Sequence, residues 1–91
     1  MTRILVKGEE AALPTTTGAG SSFAYATNVR VVNTAAAGTN HLVTICEGTG
    51  GTVVGSLTVC GGTAEIVEKQ PAYTLFAANA AVKGSAVGFT N

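Results

Sequence analysis

Few side chains in this 91-residue chain can do chemistry, so their spacing can be weighed almost one by one. The single histidine, His41, stands beside Asn40 at the start of a β-branched run. A histidine acting as general base is oriented by a carboxylate, and the chain contains no aspartate. Glu47 shares the strand parity of His41 but lies six residues on, about 20 Å along an extended chain. Glu65 and Glu68 are an odd number of residues apart and fall on opposite faces of a strand, which removes the paired carboxylates of a glycosidase. Glu65 and Lys69 share a face and read as solvated edge charges. Glu9-Glu10 open a loop without the alternating oxygen ligands of a calcium loop. Gly18-Ala19-Gly20-Ser21-Ser22 has neither the lysine nor the following helix of a phosphate cradle. Two cysteines and one histidine are too few for a closed zinc site unless carboxylates or a second chain contribute. No metal or cofactor is expected, and the expectation is a non-enzymatic protein. Binding chemistry is what remains. Phe23 and Tyr25, with Tyr73 as a third, are aromatics of the kind that form platforms for sugars, although Phe23 reads first as a core residue.

The elements that hold these residues are short strands. His41 to Cys60 (HLVTICEG, TGG, TVVGSLTVC) reads as a hairpin, because β-branched arms flank the glycine-rich Gly48 to Gly51. Its register sets Cys46 opposite Val53 and leaves Cys60 about seven residues further along, roughly 20 Å away. A disulfide needs Cα atoms within about 7 Å, so both thiols are expected free, as buried apolar residues. The Val53, Gly55, Leu57 and Val59 face should point inward. Thr2 to Lys7 is a strand with Ile4 and Val6 on one face. Ser22 to Ala26 alternates as a strand with Phe23 and Tyr25 side by side. In Asn28 to Thr34, Val29 and Val31 oppose Arg30 and Val32. Thr63 to Lys69 is a strand ended by Gln70-Pro71. Ala72 to Ala77 is another, followed by a stretch, Ala77 to Ala81, that allows a helical turn. Ala81 to Thr90 closes the chain, with Gly84 or Gly88 as bulges.

Seven or eight short strands at roughly ten-residue spacing, with no amphipathic helix, predict a single all-β domain over residues 1–91, a sandwich or a partly open barrel of antiparallel strands. A sandwich of immunoglobulin-like or jelly-roll shape is preferred. Residues 8–22 show no sustained period and are expected to form an extended loop or arm. Charged residues make up only 11% and the formal net charge is zero. So little charge suits a subunit that lives against neighbours, as a homo-oligomer or bound to a lattice. The scattered cations Arg3, Lys7, Arg30, Lys69 and Lys83 argue against nucleic acid. No stretch has the roughly 20 apolar residues of a transmembrane helix, and the start, MTRILVKGEE, is too short in apolar residues for a signal peptide. A soluble, non-exported chain is expected.

From Asn28 onward, four pieces carry a resemblance: the strand Val29 to Thr34 ending in Asn-Thr, the hairpin His41 to Cys60, the turn Glu68 to Pro71 (EKQP), and the tail Val82 to Asn91. Together they resemble small virion proteins of tailed bacteriophages, notably those infecting cyanobacteria, over about two-thirds of the chain. The resemblance implies a structural subunit of the virion, with capsid decoration (cement) as the expected role and the major capsid protein or another virion subunit as partner. A tail, neck or collar component is the alternative within that class. A carbohydrate-binding or adhesion module is the alternative outside it. Glu9, Glu10, Leu13, Pro14, Phe23, Tyr25 and Tyr73 are the candidate partner-contact residues.

Overall fold

Alternation of side chains decides the centre of the molecule. In a computed structural model that describes residues 3–16, 20–48 and 50–90, the chain forms β1 (Arg3–Val6), β2 (Ala11–Ala12), β3 (Asn28–Asn33), β4 (His41–Cys46), β5 (Val53–Val59), β6 (Ala64–Glu68), β7 (Thr74–Ala77) and β8 (Val82–Thr90). All pairings are antiparallel. The larger sheet runs β1-β8-β3-β6, with β2 also on β8, and the smaller runs β5-β4-β7. Val29, Val31, Val67 and Val82 of the larger sheet are buried in one cluster with Val43, Val59, Leu75 and Ala77 of the smaller. The domain is therefore the all-β sandwich that the strand count predicts.

Ser21 extends the smaller sheet. Its N–H and C=O both bond to Leu75, and the carbonyl of Pro14 accepts the Ala77 N–H, so Pro14 and Ser21 both lie on the free edge of β7. The two layers are then β1-β8-β3-β6 and β5-β4-β7 with Ser21 bridged to the β7 edge, an order in common with jelly rolls.

Asn33 ties the two layers together. It continues the inward Val29–Val31 face and is fully buried. Its Nδ2 donates to the carbonyls of Thr39 (2.9 Å) and Val59 (2.8 Å), and its Oδ1 accepts the Ala35 N–H (3.0 Å). Its backbone exchanges bonds with Thr63 and Gly62. One amide thus closes the β3–β4 connection and fastens β3 to the end of β5, with every polar atom paired, as burial demands.

The structure departs from the sequence expectations at seven places. In the hairpin, Cys46 does face Val53, but Ile45 faces Gly55, so Val54 is an extra residue in β5. That bulge reverses parity: Val53 is 58% exposed, whereas Leu57 packs on the core and Val59 lies within it. Both cysteines are free as expected, but only Cys46 is buried and Cys60 is exposed. Ser22 to Ala26 is not a strand. Phe23, Ala24 and Tyr25 take left-handed φ values of 53°, 57° and 61°. The hydroxyls of Ser21 and Ser22 accept the N–H groups of Phe23 and Tyr25, offering the backbone a local alternative to a ladder.

The expected arm is pinned over its first half. Ala11 and Ala12 pair with β8, and Leu13 is only 1% exposed; residues 17–19 lie outside the described residues, as does Thr49 of the hairpin tip. Gly84 and Gly88 sit in regular pairs and are not bulges. The irregularity is opposite them: Val6 pairs Val87 and Ala11 pairs Gly84, so Lys7 to Glu10 span only Ser85 and Ala86. The stretch after Ala77 is a turn and not helical; there the Asn79 side chain accepts the Ala81 N–H. Lys69 is buried and not a solvated edge charge, because its Nζ donates to the carbonyls of Gln70 and Pro71.

Candidate functional site

Parity along β8 assembles the most prominent surface. Ala86 pairs with inward-facing Val29, so Ser85 and Val87 point away from the smaller sheet. Pairing between β3 and β8 stops at Val29–Ala86, while β8 continues to Thr90 with β1 as its partner. Strand β1 and the end of β8 therefore form a two-stranded ribbon that runs past the end of β3. On its outer face Ile4 sits opposite Phe89 and Val6 opposite Val87. Ile66 of β6 continues the same face across Arg30.

Four of these side chains are open to solvent: Ile4 at 47%, Val6 at 70%, Phe89 at 46% and Ile66 at 40%. Ile4 and Val6 border a hollow of about 370 Å³ whose other lining residues are Gly8, Glu10, Arg30, Ser85 and Val87. Val87 and Ser85 are buried and make its floor. A mostly apolar lining with one cation and one carboxylate at its border fits an apolar protein surface with a polar fringe better than a reacting small molecule.

The residues singled out from the sequence do not gather at one site. Glu9 and Glu10 are exposed in the widened stretch between β1 and β2, and only Glu10 reaches the hollow. Leu13 is a core residue and is not available to a partner; Pro14 is half-buried with its carbonyl used by Ala77. Phe23 packs against the core cluster and shares the border of a hollow of about 190 Å³ with Tyr25. Tyr25, 68% exposed, borders a hollow of about 320 Å³ with Ser22, Glu47 and Thr74. Tyr73 borders a different one of about 440 Å³ with Thr27, Glu68 and Lys69. The three aromatics do not make one platform, because Tyr73 stands at a hollow that neither Phe23 nor Tyr25 lines.

His41 begins β4 opposite Val59, half-buried. Burial of Lys69 pushes its ammonium below the usual lysine value. Among the described residues no group of three metal-ligating side chains converges, and no helix is long and apolar enough to cross a membrane. The ribbon residues were missed as a site because Ile4, Val6 and Phe89 read as ordinary strand residues. The one available signal was that β1 and the tail are both apolar on the face that carries Val6 and Val87. No family model matches the chain, and no curated protein or solved structure matches it either.

Proposed function

We propose that the protein is a structural subunit of a tailed-phage virion, bound to the head as a decoration (cement) protein, and that it docks through the outer face of its larger sheet. The observation that carries this reading is the projecting β1–β8 ribbon with Ile4, Val6 and Phe89 exposed on one face. Apolar groups clustered on a small domain mark an interaction surface. Binding to an assembled lattice stabilises both partners by mass action, and a charge-poor chain gains burial there that it lacks alone. The resemblance of residues 28–91 to phage virion proteins points the same way. So does the jelly-roll strand order, which occurs in viral capsid domains among others and counts only as analogy. The partner is the major capsid protein or another virion subunit, and the location is the virion.

Mass spectrometry of purified, DNA-filled heads stripped of tails tests this. The protein should remain with the heads in many copies. Absence from heads and presence in the tail or neck fraction would transfer it to the alternative role there.

A second reading, an adhesion or carbohydrate-binding module, is favoured by Tyr25 alone, an exposed aromatic held on a left-handed turn beside Glu47 and Ser22. Glycan-array binding lost on Tyr25→Ala would support it, and an empty array would end it.

A further inference from the structure

We infer that copies of this chain join edge to edge, β1 of one against β6 of the next, continuing the larger sheet from molecule to molecule. The inference does not rest on the virion reading. It starts from the strand edges, each of which must be covered or protected to keep a β-protein from pairing with itself. The β7 edge is taken by Ser21 and Pro14. The β5 edge is interrupted by the bulge at Val54. The β2 edge is two residues long and follows a four-residue widening that carries Glu9 and Glu10. Among the described residues β1, β5 and β6 each lack a second strand partner, and of these β1 and β6 are the two opposite edges of one sheet.

These two edges are complementary. Strand β1 begins with Arg3 and is followed by Lys7, and every one of its residues is exposed. Strand β6 carries Glu65 and Glu68, both exposed, with Ile66 between them at 40% exposure. Direction fits too. From β1 to β8, β3 and β6 the chain reverses three times, so β6 runs opposite to β1. A neighbour turned about an axis parallel to the strands therefore presents its β1 antiparallel to β6, with outer face beside outer face.

Keeping the faces aligned fixes the parity, and setting Ile66 against an apolar residue with Glu65 against a cation chooses among the registers that remain. With Ile66 opposite Val6 of the next copy, Val67 meets Leu5 and Glu65 meets Lys7, an opposite-charge pair directly across the strands. Arg3 then falls opposite Lys69, whose ammonium is turned onto the Gln70 and Pro71 carbonyls. Because different surfaces meet, the contact is heterologous, and it closes as a ring or runs on as a filament according to the rotation per step. A ring would set the apolar outer faces of its members side by side.

Native mass spectrometry and light scattering of the purified chain read the assembly directly, with circular dichroism as the control for folding. The wild type should exceed monomer mass. Glu65→Lys and Lys7→Glu should each return it to monomer, and the two reversals together in one chain should restore the assembly. A second arm uses the Cys60→Ser background, in which Val6→Cys with Ile66→Cys should oxidise into intermolecular disulfide ladders. A wild type that is monomeric at its solubility limit, an assembly indifferent to both charge reversals, or folded double-cysteine protein that yields no ladder would overturn the proposal.

Discussion

The ring of Phe23 lies where a side chain on Gly84 would be. A Cβ built on Gly84 would stand 2.9 Å from the Phe23 ring and 3.1 Å from the Leu13 side chain. The contact explains three features together: the bare backbone in the middle of β8, the inward path of the left-handed turn, and the burial of Leu13. The turn has a conformational cost, since left-handed backbone disfavours residues with a Cβ by roughly 1–2 kcal/mol each. Seating Phe23 over Gly84 offsets it.

Gly84→Ala should therefore destabilise the domain by about 1–3 kcal/mol through overpacking. Phe23→Leu combined with it should recover part of that loss, the non-additivity expected of residues in contact. Urea unfolding of the two single variants and the double measures both effects. Additive losses would mean that the ring and the glycine do not meet.

Asn33→Leu should cost roughly 3 kcal/mol, because the carbonyls of Thr39 and Val59 and the Ala35 N–H all lose their partner in the interior. Asn33→Asp at neutral pH should cost more, since a carboxylate has no proton to give the two carbonyls. The same unfolding experiment reads it. A loss below about 1 kcal/mol for either variant would contradict a keystone role for the amide.

Lys69 gives a pH signature. Its folded-state pKa is lowered by burial from the ordinary 10.5, so between the two values the unfolded chain binds more protons than the folded one. Stability then rises with pH through that window, and the burden of the buried charge is fully present below it. Comparing wild type with Lys69→Met from about pH 7 to about pH 10, the balance should move in favour of wild type as pH increases. A difference that stays flat or moves the other way would show that the ammonium is not desolvated.

How far the chain could be read before folding follows from these same residues. The Val29–Val31 alternation, the hairpin pairing of Cys46 with Val53 and the free thiols were legible because they depend only on strand parity and on register next to the hairpin turn. Val53 turned outward because one extra residue, Val54, flips every position beyond it, and nothing in TVVGS marks which residue is extra. Phe23 and Tyr25 alternate like strand residues, yet the hydroxyls of Ser21 and Ser22 capture the backbone first. Lys69 and Leu13 were misjudged because their burial depends on what the turn and the other sheet bring over them. Asn33 was readable in principle, as a polar residue continuing a buried valine face. The ribbon surface required knowing that β1 pairs with the far end of the chain, a contact no local pattern encodes.

The thiols divide by exposure. Cys60 is exposed and Cys46 is buried in β4, so in the folded protein iodoacetamide should label Cys60 and spare Cys46 until denaturant is added. Peptide mass mapping reads the labelled site. Equal native labelling of both would mean that β4 opens far more readily than a strand between two neighbours should.

Cryo-electron imaging of the intact particle tests the central claim most directly. The predicted result is density for this β-sandwich repeated over the outside of the head, with the face bearing Ile4, Val6 and Phe89 turned toward the underlying lattice. Heads bare of such density, or a domain seated with that face fully open to solvent, would contradict it.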